Sequence, residues 1–561
     1  MTWIAKALHG SPELAMFLAI AIGYWLGNIK LGKFSLGTVT AALIAGLVIG
    51  QLDVAINHEL RWGLFYIFLF ANGYSAGPQF FRALRHDGGK PMLLSLTVAV
   101  SGLATAYAMA RLLALDPGMS AGLFSGSLTQ SSSIGTATDA IMNLALPLEQ
   151  RRLLVNHIAI ADALTYVFGA FGVIWFVSII APKLLGIDLR KEAAALDAQF
   201  GIKTQTPGVY SAYQKYAVRA YLLTDSVFVG KSVEQVERND EHLRYFVERV
   251  HRETQLLDVQ PSTILQRDDV VVVSGQIDCL LLLGPRFGLE VHDPQLLDFP
   301  VEALTVVLTN RKIFGPTLDE LATSRAFDFR GIALRRLSRA GQEIPLGPVT
   351  VLNRGDVVEL IGPQRAVERV ASEVGYALHR SDATNLSTVG FGILAGALIG
   401  LPFIMVGELK LTLSVSVGTL VVGLFFGWLR SVRPTFGSIP QPALQFMINF
   451  GLAAFVAGAG LQAGPEFVRA VKELGVSLLL AGVVVSLVPQ VAAFLVGRYL
   501  LKMNPLLLLG ALAGARSFTA ALAAVQERAG SLTPVLGYTV PYATSNILVT
   551  VCGSIIVALV A

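Results

Sequence analysis

Residues 73–84 read GYSAGPQFFRAL, and residues 460–471 read GLQAGPEFVRAV. The shared pattern, G-x-x-A-G-P-[QE]-F-x-R-A, points to an internal duplication. Three more blocks keep the same order in both flanks of the chain. Gly46-Leu-x-x-Gly50 matches Gly423-Leu-x-x-Gly427, and GLFSGSLTQS from Gly122 aligns with GALAGARSFT from Gly510, which sets Asp139 on Glu527. Finally, ADALTY ending at Tyr166 falls on GYTVPY ending at Tyr542.

The duplicated flanks are apolar. The chain has 561 residues, 53% hydrophobic and 15% charged, with mean hydropathy +0.61; soluble domains carry about a quarter charged residues. Apolar stretches of roughly the 20 residues a bilayer requires run over 14–29 (the shortest), 34–52, 62–81, 91–112, 153–181, 386–406, 411–429, 441–463, 475–497 and 535–560. The expected fold class is therefore a polytopic α-helical membrane protein. The first run has no small-residue cleavage pattern after it and reads as a retained span. The net charge of +4 comes from basic residues at span ends, where they orient the chain, so no nucleic-acid partner is expected. Cys279 and Cys552 differ in setting and read as packing residues.

Between about 190 and 380 charges become frequent and apolar runs shrink to strand length. This insert is itself duplicated: LQRDDVVVVSG (Leu265–Gly275) recurs as LNRGDVVELIG (Leu352–Gly362), and GKSVEQ from Gly230 matches GPTLDE from Gly315. The expected organisation is a membrane repeat at 1–185, a linker at 186–208, α/β modules at 209–295 and 296–380, and a second membrane repeat at 381–561.

Charge sets the relative orientation of the repeats. The first AGP copy is followed by Arg82, Arg85 and Lys90 against Asp87, a net positive turn; the second carries Arg469 and Lys472 against Glu466 and Glu473 and is neutral. Cytoplasmic loops collect Lys and Arg, so the repeats are expected to be inverted, with both termini outside and residues 186–380 in the cytoplasm. Lys30 and Lys33, Arg430 and Arg433, and Arg498 and Lys502 fit the same scheme. It requires 119–143 and 505–527 to enter and leave on one side, and the hydroxyl-rich composition of the first segment suits no lipid-facing helix.

Inverted repeats with broken polar segments at matching places are the plan of secondary transporters, whose sites lie between the repeats. The candidate lining is Thr129, Gln130, Ser131, Ser132 and Ser133, flanked by Gly126 and Gly135, with Ser517 and Thr519 after Gly514 in the second half. Helix starts there suit an anionic ligand. Packing of small polar residues is the plain alternative. Arg516, a guanidinium in an apolar segment, costs at least ~2.5 kcal/mol to insert and suits a carboxylate; a snorkelling Arg, or one paired with Glu527 or Asp139, is the other reading. Asp162 could meet a substrate amine, take a proton or pair with Arg516. Tyr166, Tyr542 and Asn546 lie on the same repeated spans, while Asn156 and His157 read as structural.

Thr388–Gly392 (TVGFG) looks like a potassium filter, but it follows the exit from the insert, lacks a preceding pore helix and has no counterpart in the first half. H-E-x-x-H, G-x-S-x-G, G-x-x-x-x-G-K-[ST] and G-x-G-x-x-G are absent. The chain is therefore not expected to be an enzyme or an ATP-driven pump, and no cofactor or metal is expected.

The motif at Gly122–Gly135, the repeated AGP-x-F, GARSFTAALAAVQ (Gly514–Gln526) and GYTVPYA (Gly537–Ala543) resemble the aspartate:alanine exchanger family over nearly the whole chain. The two modules are similar to the C-terminal subdomain of RCK regulatory domains, which that family also carries in its central loop. The resemblance implies a homodimeric exchanger of the bacterial inner membrane that swaps an amino acid or dicarboxylate anion for a related molecule, most characteristically L-aspartate for L-alanine, by sliding a transport domain against a scaffold. Ser132 and Phe518-Thr519 stand where some relatives have Pro and Pro-Pro, which, with Arg516, favours the aspartate:alanine branch. The competing classes are a dicarboxylate (succinate-type) exchanger, an ion channel or ion transporter gated by the modules, and a membrane sensor.

Overall fold

In the computed structural model the described residues are 3–31, 34–35, 37–54, 57–85, 89–200, 216–224, 227–237, 245–253, 255–292, 294–297, 301–323, 329, 332–339, 342–378, 384–406, 409–412, 414–433 and 436–561. Residues 201–208 of the expected linker, Lys33 and the turn around Asp87 lie outside them, and the side chains of Arg82 and Arg85 are likewise not described. The chain forms two compact units: a helical one (Met1–Thr204, Ser338–Pro345 and Asp382–Ala561) and an α/β one (Gln205–Leu337 and Leu346–Ser381).

The first flank begins with α1 (Trp3–Gly10) and α2 (Pro12–Gly27), then a short hairpin of β1 (Lys30–Leu31) and β2 (Phe34–Ser35). There follow α3 (Thr38–Ile49), α4 (His58–Arg85), α5 (Gly89–Leu112), α6 (Pro117–Ser127), α7 (Ser132–Met142) and α8 (Leu148–Trp175). A π-helical turn, Phe176–Ile180, continues α8 into α9 (Ala181–Leu185), and α10 (Leu189–Gln199) comes next.

Between the two flanks, β3 (Tyr216–Leu222), α11 (Val233–Glu237), β4 (Tyr245–Arg252), β5 (Gln255–Asp258), β6 (Val270–Gln276), α12 (Ile277–Phe287), β7 (Leu289–Val291) and α13 (Pro294–Leu297) are followed by β8 (Val301–Leu308), α14 (Leu318–Thr323), β9 (Ala333–Arg339), β10 (Gln342–Ile344), β11 (Val357–Pro363), α15 (Gln364–Val374) and β12 (Gly375–Leu378). The strands form two sheets, β5-β4-β6-β3-β7 and β10-β9-β11-β8-β12, with the same topology. The repeated aspartate has one local job in both. Asp269 Oδ2 accepts from Gln266 N at 2.7 Å and Asp356 Oδ2 from Asn353 N at 2.9 Å, and both residues are fully buried. Each thereby pins the turn that feeds the central strand of its sheet, β6 or β11.

The second flank has α16 (Leu386–Gly400), a hairpin of β13 (Phe403–Val406) and β14 (Leu409–Thr412), α17 (Val415–Val432), α18 (Gln441–Leu495) with a π-helical turn at Val496–Leu500, α19 (Pro505–Gly514), α20 (Thr519–Ala529) and α21 (Val535–Val560). From α2 to α8 and from α16 to α21 the order of elements is the same, α18 standing for α4 and α5 together. Among the described residues six segments are long and apolar enough to cross a bilayer: Gly89–Leu112, Leu148–Leu185, Val415–Val432, Gln441–Glu473, Gly475–Leu500 and Val535–Val560. The chain is a multi-pass membrane protein.

Two sequence readings meet the structure differently. The turn expected between 463 and 475 is helical despite Gly464 and Pro465, because Glu466, Arg469, Ala470, Lys472, Glu473 and Leu474 are helix formers and Arg469 bonds Glu473 one turn on at 2.9 Å. The filter-like Thr388–Gly392 lies inside α16, with Thr388 N bonded to the Asn385 side chain that caps the helix. Its carbonyls are therefore spent in a helix and cannot line a pore.

The repeated glycines explain the repeat. A Cβ built at Gly73 or Gly77 on α4 would lie 2.3 or 2.2 Å from the carbonyl oxygens of Leu420 and Leu424 on α17, and one at Gly423 or Gly427 would lie 2.4 or 2.0 Å from those of Phe70 and Tyr74 on α4. The same contact recurs with the halves exchanged: Gly46 and Gly50 approach Ala457 and Leu461 of α18 at 2.4 and 2.3 Å, and Gly460 approaches Leu43 of α3 at 2.4 Å. Small-residue faces let backbones touch where apolar solvent offers no hydrophobic drive. Each half supplies one partner to each pair, so neither half completes its own seam.

Candidate functional site

The third repeated block forms two helical hairpins, α6–α7 and α19–α20, which break at equivalent residues. Thr129 N donates to Gly126 O and Gln130 N to Ser125 O; Ser517 N donates to Gly514 O and Phe518 N to Ala513 O. Each is a Schellman closure, whose last residue adopts the left-handed conformation and is normally glycine. Here those residues are Thr129 (φ 56°) and Ser517 (φ 52°). A non-glycine residue there costs roughly 1–3 kcal/mol, a strain that clusters at functional sites. No side chain caps the start of α7 or of α20, leaving N–H groups at the α20 start free to meet an acceptor.

Arg516 lies at the second break and reaches to the first. Its Nη2 donates to Ser127 O, its Nε to Leu128 O at 3.4 Å, and its Nη1 to Ser486 O of α18 at 2.9 Å. The first two are carbonyls at the end of α6, left open by helix geometry, and a cation there also answers the helix dipole. Arg516 is 1% exposed, and its partners are all carbonyls. Neither Asp139, which accepts from Ser416 N at 3.2 Å, nor Asp162 neutralises it. Three buried hydroxyls on the residues around it, Ser127, Ser486 and Ser517 Oγ, have no hydrogen-bond partner among the described residues. Phe518 is half-buried, while Thr519 and Ala520 are exposed, so the region is open at the α20 start.

The other candidates separate into two groups. Gln130 Nε2 donates to Ser132 Oγ (2.6 Å), Asn546 Oδ1 (2.9 Å) and Thr550 Oγ1 (3.2 Å), and Asn546 Nδ2 donates to Asn72 Oδ1 at 3.1 Å. Ser133 Oγ donates to Gln130 O at 2.7 Å, and Thr129 Oγ1 donates to Leu128 O at 2.6 Å. This network ties the first hairpin to α21 and α4 and uses its own polar groups. Ser131 is buried on the same turn. Around the second break Thr519 Oγ1 meets Tyr538 OH at 3.1 Å, and the Tyr538 ring stacks on Tyr542 at 5.2 Å. Tyr166 is buried within electrostatic reach of Arg516 and Asp162.

Glycines set the depth of both hairpins. A Cβ at Gly126 would lie 2.2 Å from Thr165 Oγ1, one at Gly514 2.4 Å from Tyr538 O, and one at Gly135 1.9 Å from the Phe65 ring. Asp162 sits at the α6–α8 contact, with Oδ1 bonded to Ser125 Oγ at 2.5 Å. His157 Nδ1 meets Asp116 Oδ2 at 2.7 Å, and the other Asp116 oxygen caps α6 through Met119 N at 2.9 Å, a structural arrangement. Both cysteines are free and buried. Sequence reading missed Ser486, Asn72 and Thr550. The signal for Ser486 was a polar residue just before Pro489 inside an apolar span; Asn72 and Thr550 carried none beyond polarity.

The chain matches the family described as Predicted Permease Membrane Region (Asp-Al_Ex) over residues 15–182 and 388–558. An uncharacterized transporter of Bradyrhizobium diazoefficiens is 46% identical over 519 residues, covering 92% of this chain and 100% of that protein. One of Shewanella oneidensis is 40% identical over 562 residues, 99% of each. No solved structure matches. The two matched regions are the two helical flanks that carry the hairpins and their crossed seams, and on that ground the chain belongs to the aspartate:alanine exchanger family of membrane permeases.

Proposed function

We propose that this protein is a secondary antiporter that exchanges amino-acid or dicarboxylate anions, L-aspartate for L-alanine being the foremost pair. The observation that carries this reading is Arg516: a fully buried guanidinium with carbonyl partners and, among the described residues, no counter-anion, next to Ser127, Ser486 and Ser517 hydroxyls that have no partner among those residues and the uncapped start of α20. A buried cation without an anion is costly, and a ligand carboxylate supplies the missing charge and accepts from the hydroxyls and the free N–H groups. Its binding site is Arg516, Ser517, Thr519 and the first-hairpin residues Ser127 to Ser133.

In this reading the two flanks are inverted-topology repeats, so that hairpins entering from opposite faces give the site alternating access. The termini lie outside a bacterial inner membrane, residues 186–380 lie in the cytoplasm as RCK-C-like modules, and the protein works as a homodimer. The test is counterflow: liposomes loaded with unlabelled L-aspartate take up labelled L-aspartate, with L-alanine or succinate as outside competitor. Uptake blocked by alanine supports amino-acid exchange, block by succinate alone points to a dicarboxylate exchanger, and no uptake overturns the reading.

A further inference from the structure

Asp162, on α8, is a buried acid that the proposed anion site does not use. It is 1% exposed. Only one of its oxygens is bonded: Oδ1 to Ser125 Oγ at 2.5 Å, while Oδ2 has no partner among the described residues. Ser125 Oγ in turn donates to Gly122 O at 3.2 Å. The seam around the pair is closed, since a Cβ at Gly118, Gly122 or Gly126 would lie 1.9, 2.3 or 2.5 Å from the backbone oxygens of Leu154, Ile158 or Asp162. The charged and titratable groups near Asp162 are few. Tyr166 is one turn along α8, and Arg516 has all three nitrogens on carbonyls. Among the other elements packed on α8, α3 and α6 contain no titratable residue, α7 contains only Asp139, α18 only residues between 466 and 473, and α20 only Glu527 and Arg528.

A buried carboxylate is stable when several donors or a cation hold it; Asp162 has a single hydroxyl. As a neutral acid the arrangement closes without conflict. The Asp162 Oδ1–H donates to Ser125 Oγ, the Ser125 hydroxyl donates to Gly122 O, and Oδ2 remains a carbonyl-type acceptor, the cheapest group to leave unpaired. We propose that Asp162 is a proton-binding group of the transport cycle, protonated while the α6–α8 seam is covered, and that exchange in this protein is coupled to a proton. When the site opens to one face, water reaches the carboxyl group and accepts the proton from Oδ1, the Oδ1–H bond breaks, the Ser125 hydroxyl turns to donate to the carboxylate left behind, and a proton returns from water before the site closes. This rests on the exchanger reading for its cycle, not for the protonation itself.

Two measurements test it on the full chain in liposomes. The first needs no substrate: the infrared difference spectrum of wild type minus Asp162→Asn at neutral pH. One carbonyl band of a protonated carboxyl group, shifted in heavy water and lost in the variant, is expected; a folded variant that removes no such band overturns the proposal. The second compares labelled L-aspartate uptake with and without an imposed pH gradient. Wild type is expected to respond to the gradient, and Asp162→Asn to lose that response. A folded variant that keeps the gradient response overturns it. Wild type that shows the infrared band but no aspartate counterflow removes the substrate reading and leaves the protonation standing.

Discussion

Replacing Arg516 with lysine tests the clasp between the two hairpins. The guanidinium bonds three carbonyls on two elements: Ser127 and Leu128 at the end of α6, and Ser486 on α18. An ammonium keeps the charge but presents one nitrogen, which reaches one of those places, so two of the three bonds are lost. At roughly 0.6–1.7 kcal/mol per buried polar contact in a membrane protein, the loss is about 1–3 kcal/mol, or roughly 5- to 150-fold in any equilibrium that depends on the clasp. Arg516→Lys is therefore expected to lower the melting temperature in detergent and to raise the L-aspartate concentration for half-maximal counterflow by a factor in that range. Arg516→Ala is expected to do more on both counts, because it leaves the carbonyls bare and removes the charge. A lysine variant with wild-type melting and wild-type half-saturation would refute the claim that this geometry holds the hairpins and the anion.

Three further outcomes follow from other parts of the molecule. Gly46→Val places a side chain where a Cβ already lies 2.4 Å from Ala457 O; it is expected to cost about 1–3 kcal/mol as overpacking and to depress folded yield, whereas Gly390→Ala, with no heavy atom within 4 Å, should leave yield unchanged. Ser517→Gly relieves the left-handed strain at φ 52° by about 1 kcal/mol, so its melting temperature should rise, and an unchanged value would mean the turn is not strained. In the α/β unit, burial pushes the Glu248 carboxyl up to about 7 from 4.5; Ser274 donates to it and opposes the shift, and Glu237 adds to it. The folded module thus keeps a proton that the unfolded chain releases. Its contribution is present below 4.5 and lost as pH rises to about 7, worth roughly 2 kcal/mol after allowance for partial exposure. Amide exchange in β4 should therefore quicken between pH 5 and 7.5 in wild type and less in Glu248→Gln; equal acceleration in both would count against it.

The sequence by itself determined the apolar spans, the duplication, the duplicated insert and the placement of polar breaks at 128–131 and 515–518, because these depend on residue type and spacing along the chain. It also singled out Arg516 and Asp162 as charges in apolar surroundings. What those charges touch was not legible. Whether Arg516 met Glu527, Asp139 or Asp162 depended on where α6 and α18 pass, and the fold brings it two carbonyls at the end of α6 and the Ser486 carbonyl of α18. The AGP glycines likewise read as a repeat without a partner, since each copy packs against the other half of the chain. Contacts across such distances in sequence are set by which helix backbones can approach, and that is a property of the assembled helices rather than of any local stretch.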